Sequence, residues 1–115
     1  MRLKSEIVVS ALVRRVFSQG GYAAVLRKGA AEAGAIFIRQ RSRLGRETLY
    51  APAPQNYVTD APVGRLFEIR LDGVESEAVD LAIARETKFD PDCWVVEIEV
   101  EDRADLFEVV AGGSP

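Results

Sequence analysis

The run Cys93-Trp94-Val95-Val96-Glu97-Ile98-Glu99-Val100-Glu101 alternates between apolar and acidic side chains. Trp94, Val96, Ile98 and Val100 recur at every second position, with Glu97, Glu99 and Glu101 between them. Successive side chains of a strand point to opposite faces. This period therefore predicts a strand with an aliphatic row turned inward and three carboxylates in water. A sheet is expected, and every other segment is a candidate to pair with it or to cover it.

Immediately before this run, residues 75–88 predict a helix. Its start is acidic (Glu75, Glu77, Asp80), and Ala78, Val79, Ala82 and Ile83 form an apolar stripe that Phe89 continues. Further upstream, Tyr22 to Arg27, Ala35 to Arg41 and Arg46 to Ala51 read as three short strands in an antiparallel meander. Ser42-Arg43-Leu44-Gly45 is a hairpin-length connection in which Gly45 is free to take a positive φ. Pro52-Ala53-Pro54 breaks the ladder and opens a polar loop to residue 64. Arg65 to Leu71 then forms a fourth strand, with Phe67, Ile69 and Leu71 facing one way.

Residues 5–19 predict the first helix, with Ser5 as N-cap and Val9, Leu12, Val13 and Val16 on one face. Gly20-Gly21 stops it. Asp105 to Val110 reads as a short helix. The expected fold is α+β: a small, mostly antiparallel sheet of about five strands, in the order α-β-β-β-β-α-β. Both helices are expected on one face, where they would bury both stripes. Residues 1–111 form a single domain in this reading, and residues 112–115 a flexible tail.

The chain has 115 residues, of which 48% are hydrophobic and 29% charged, values that favour one ordinary globular core over disorder. No stretch approaches the length of apolar sequence that a membrane helix needs, so no membrane role is expected. One cysteine, Cys93, allows no internal disulfide, and a reducing cytoplasm fits that best. Histidine is absent, which excludes Ser-His-Asp and Cys-His catalysis and any imidazole metal cage. No cofactor is expected.

The net charge of −3 hides an asymmetry. Residues 1–50 carry ten Lys/Arg against three Asp/Glu, whereas residues 51–115 carry five against fifteen. The two halves are expected to pair within one fold. The basic half contains the sharpest cluster, Arg39, Arg41, Arg43 and Arg46 around one hairpin. Guanidinium groups this close repel unless acids or an anion intervene. Glu97, Glu99 and Glu101 are the acids expected opposite them. The alternative is a phosphate or nucleic-acid contact, with Tyr50 and Phe37 supplying stacking.

Asp90-Pro91-Asp92 offers two carboxylates that are weak candidates for a divalent metal, but Asp followed by Pro is ordinary turn chemistry. Cys93, in a strand beside Trp94, reads as a small hydrophobe.

Several of these segments together resemble a bacterial family found mostly in alphaproteobacteria and catalogued as domain of unknown function 1491. The resemblance rests on Arg2-Leu3-Lys4-Ser5-Glu6-Ile7, Gly20-Gly21, Lys28-Gly29 and Ala33-Gly34-Ala35-Ile36-Phe37. It continues in Tyr50-Ala51-Pro52-Ala53-Pro54 and, most specifically, in Phe89-Asp90-Pro91-Asp92-Cys93-Trp94-Val95-Val96-Glu97-Ile98-Glu99. Cys93 stands where the family pattern has an apolar residue. The resemblance implies a bacterial cytoplasmic protein and brings no activity, cofactor or catalytic residue with it.

The function itself is not written in the sequence. A non-catalytic, self-associating module is expected first, because the usual catalytic sets are missing and a small sheet leaves edges to pair. Anion or nucleic-acid binding through Arg39, Arg41, Arg43, Arg46 and Tyr50 comes second. A small carboxylate- or metal-dependent enzyme around Asp90 and Asp92 comes last.

Overall fold

The glutamate-bearing strand, β5 (Trp94–Glu99), lies inside a sheet rather than at its rim. The computed structural model describes residues 3–54, 65–103 and 105–110. In it, β5 pairs antiparallel with β1 (Tyr22–Arg27) and parallel with β2 (Ile36–Arg41). β2 pairs antiparallel with β3 (Glu47–Pro52), and β3 antiparallel with β4 (Leu66–Val74). A two-residue β6 (Glu108–Val109) adds to β4 in parallel. The six strands run in the order β1-β5-β2-β3-β4-β6.

The expected α+β class and element order hold broadly, but three details of the sheet change. It is mixed rather than mostly antiparallel, and it has six strands rather than about five. The segment 105–110 supplies β6 instead of a short helix. The first three strands are not a meander, because β5 separates β1 from β2. The connection between β1 and β2 runs against the turn that leads into β5. It packs so tightly on the turn before β5 that a Cβ on Gly29 or Gly34 would sit 2.2 or 2.5 Å from the Asp92 carbonyl oxygen. Trp94 locks the same junction, its Nε1–H donating to the Ala30 carbonyl at 2.8 Å and its backbone N–H to Ala35 at 2.7 Å.

The helices lie on opposite faces, which overturns the expectation of one shared face. α1 (Ser5–Ser18) packs Val8, Val9, Leu12 and Val16 with Ile36, Ile38, Tyr50, Phe67, Trp94, Val96 and Ile98. α2 (Ser76–Phe89) packs Val79 with Phe37, Leu49, Ala51 and Cys93 on the other side. The reason lies in β5 and β2, where both parities are buried: Trp94, Val96 and Ile98 on one face, Cys93 and Val95 on the other. A strand with a parallel neighbour in a sheet interior needs cover on both faces.

Local expectations divide in the same way. The 42–45 hairpin forms, with Gly45 at φ 82°. Ser5 is a buried first residue of α1 rather than its N-cap, and its hydroxyl donates to the Gly34 carbonyl at 2.6 Å. The exposed-donor problem of this helix start is met by the Ala31 and Glu32 carbonyls, which accept from the Glu6 and Ser5 N–H groups at 3.0 Å. On β4 the register shifts against β3. Phe67 therefore joins the α1 side and Leu71 the α2 side instead of facing one way. The 112–115 tail and most of the 52–64 loop lie outside the described residues.

Candidate functional site

Of the four hairpin arginines, Arg39 is buried, at 8% exposure, on the α2 side of the sheet. Its Nε donates to Glu47 Oε1 at 2.9 Å and its Nη2 reaches the same oxygen. Nη1 donates to Asp80 Oδ1 at 2.8 Å, and Nη2 also reaches Ser76 Oγ at 3.2 Å. Arg41, further along the same face, places Nε 3.3 Å from Glu47 Oε2. Burial alone would lower the Arg39 pKa. The hydrogen bonds to Asp80 and Glu47, with their charges, outweigh it and hold the guanidinium firmly protonated.

The acids that neutralise this cluster are thus Glu47 and Asp80 rather than the glutamates of the β5 run. Glu97 and Glu99 stand beside Arg39 and Arg41 in register but make no ion pair with them. Glu101 does reach the hairpin, accepting the Arg43 backbone N–H at 2.6 Å. Glu47 was legible in principle, since it is the only acid between Glu32 and Asp60. A lone carboxylate next to four arginines signals an internal partner. At the hairpin tip Arg43 and Arg46 are exposed around Leu44, itself 92% exposed, and Arg46 comes within 3.9 Å of Glu75.

Tyr50 is not part of that surface. It sits on the α1 side, its hydroxyl donating to Gln40 Oε1 at 2.7 Å and its ring edge-on to Phe107 at 4.9 Å. Burial raises its pKa, partly offset by the nearby Arg103. Phe37 is buried as well. The structure therefore brings Arg39 and Arg41 together, leaves Arg43 and Arg46 at the tip, and separates both groups from the two aromatics.

Asp90-Pro91-Asp92 forms a turn. Asp90 Oδ1 accepts the Asp92 N–H at 3.1 Å, and the Asp90 carbonyl accepts the Cys93 N–H at 3.2 Å. Among the described residues, no three His, Cys, Asp or Glu side chains lie close enough to hold a metal ion together. Cys93 is fully buried, and burial followed by the Asp90 charge raises its thiol pKa, which makes it a poor nucleophile.

Exposed apolar side chains occur at the hairpin tip (Leu44), on α2 and β4 (Leu81, Phe89, Ile69), on α1 (Ile7) and along the β1 rim, where four lie together. β1 is one edge strand of the sheet, and Tyr22, Val25 and Leu26 are all exposed along it. Phe17 of α1 extends this row, edge-on to Tyr22 at 5.8 Å. Between α1 and β1 runs an open groove of about 450 Å³, lined by Val9, Val13, Val25 and Trp94 and by the exposed Glu6, Ser10, Arg14 and Lys28. No helix among the described residues is long and apolar enough to cross a membrane.

Similarity to other proteins follows the whole of this framework. Residues 3–108 match a family model described as a protein of unknown function (DUF1491). The solution structure of protein Atu0922 from A. tumefaciens is 53% identical, with a TM-score of 0.85 and 100% of both chains covered. A crystal structure of a DUF1491 family protein from Caulobacter crescentus CB15 is 32% identical, with a TM-score of 0.79, covering 96% of this chain and 100% of that one. An NMR structure of a DUF1491 family protein from the same organism is also 32% identical, with a TM-score of 0.77 and coverage of 96% and 99%. No curated protein matches the sequence. The glycines packed on the Asp92 carbonyl and the strand that follows are among the segments that carry the resemblance, and the chain belongs to the DUF1491 family.

Proposed function

We propose that this protein is a non-catalytic, cytoplasmic interaction module that associates with itself through β1. The observation that carries this reading is the state of that edge. An outer strand presents unpaired backbone donors and acceptors, and proteins that stay monomeric usually blunt it with charge, proline or cover. β1 (Tyr22–Arg27) has its only charge at the last position, no proline, and exposed Tyr22, Val25 and Leu26. The opposite edge is a two-residue strand. The register shift near Leu26 shortens the pairing stretch to its first part, which still suits a four-residue ladder. Light scattering on the purified chain tests the reading. A dimer is expected at tens of micromolar, with Val25→Lys shifting it to monomer, and a strict monomer at high micromolar concentration would sink the proposal.

A second reading rests on the hairpin tip, where Arg43 and Arg46 are exposed beside Leu44. Their chemistry suits phosphate, although Glu101 and Glu75 lie close to them. Binding of short DNA or RNA that grows stronger as salt is lowered supports this reading. The absence of binding at low salt rejects it.

A further inference from the structure

Beside the β1 edge, α1 carries a stripe of exposed residues that is complementary to its own reverse. Glu6, Ser10, Arg14 and Phe17 follow helical spacing, and Glu6, Ser10 and Arg14 line the same groove as Val25. Glu6 lies four residues before Ser10 and Arg14 four residues after it. Neither Glu6 nor Arg14 makes an ion pair among the described residues. Resting on the self-association proposed above, we infer that the partner on this rim is a second copy, docked about a two-fold axis that passes near Ser10 and Ala24.

The geometry follows from strand pairing. An isologous antiparallel β1–β1 ladder requires a two-fold perpendicular to the sheet, and such an axis keeps both α1 helices on the same side. Ser10 and Val25 line one groove, so the axis that centres the ladder near Ala24 also passes close to Ser10. On α1 the reversal then sets Glu6 toward the partner's Arg14 and Arg14 toward the partner's Glu6. The separation between Glu6 and Arg14 along the helix is about 12 Å, so the two ion pairs flank the axis symmetrically. On the strand, Ala23 meets the partner's Val25 and Ala24 faces its own copy across the axis, while Tyr22, edge-on to Phe17, flanks the ladder. The exposed Val25 is covered by the partner's strand, and the two grooves merge into one trough over the seam.

Charge reversal and cross-linking on the full chain test this arrangement. Glu6→Arg and Arg14→Glu each weaken the dimer by about tenfold or more, and the combined Glu6→Arg/Arg14→Glu variant recovers it, since both pairs are then restored in reverse. A short bis-maleimide joins two copies of Ser10→Cys. It does not join Glu77→Cys, whose helix lies on the opposite face, or the wild type, whose Cys93 is buried. A dimer that is indifferent to both reversals, or that cross-links through Glu77→Cys instead, overturns this arrangement and leaves self-association standing. A chain that scatters as a monomer overturns both.

Discussion

The two faces of the sheet hold helices of the same length by different means. α1 and α2 each have 14 residues. α1 buries Val8, Val9, Leu12 and Val16 in an apolar layer. α2 fully buries only Val79, and its first turn is held by Arg39, which reaches Asp80 and Ser76 from the sheet. Apolar burial is non-directional and additive over area, whereas a buried ion pair is directional and depends on every partner being present. The α1 face is therefore expected to lose stability gradually with each trimmed side chain, and the α2 face to fail abruptly when one charge is removed.

The largest effect is expected at Arg39. Glu47 is 2% exposed, and Arg39→Ala leaves its carboxylate buried with Arg41 as the remaining cation. Urea unfolding is expected to show a loss of about 3–5 kcal/mol, whereas Arg39→Met/Glu47→Leu together is expected within about 1 kcal/mol of wild type. A single variant as mild as the double one would break the contrast between the faces. Leu12→Ala, on the apolar side, is expected to cost about 3 kcal/mol, in proportion to the cavity it leaves.

Asp80 sharpens the contrast, because its side chain is 61% exposed and water screens it. Asp80→Asn is expected to cost about 1 kcal/mol or less, and to speed amide exchange in the first turn of α2 without changing α1. Slower exchange in α2 than in α1 would contradict the idea that its docking is the weaker of the two.

The smallest effect is a dependence on alkaline pH. Burial raises the Cys93 thiol above its ordinary 9.0 and the Tyr50 hydroxyl above its ordinary 10.0. The native state keeps these protons after the unfolded chain has released them. Their contribution is therefore full below about pH 9 and is lost as pH rises. Cys93→Ala is expected to flatten the first part of that decline, measured as urea midpoint against pH. An unchanged slope would show that the thiol is not the group responsible.

Much of this fold was legible one segment at a time. The alternation in β5, the 42–45 hairpin, the helix over 76–89 and the Asp90 turn all depend on residues within a few positions of one another. The arrangement of strands was not, because nothing in the spacing of Tyr22–Arg27 or Ile36–Arg41 says that a strand from residues 94–99 will lie between them. The arginine cluster was visible as a cluster, but its partners were misassigned. Glu97 and Glu99 were in register with it, whereas Glu47 and Asp80 had the reach and orientation. Tyr50 lies apart from the arginines for a simpler reason: on a strand, neighbours in sequence lie on opposite faces.

By itself the sequence determined where the two helices and the first five strands form, and that histidine-based catalytic sets and imidazole metal cages are excluded. Those properties follow from local periodicity and residue inventory. The tertiary structure alone settled which face each helix covers, which acid neutralises Arg39, and which strand is left at the rim with its apolar side chains uncovered. These depend on chain paths between distant segments, such as the close approach of Gly29 and Gly34 to the Asp92 carbonyl oxygen.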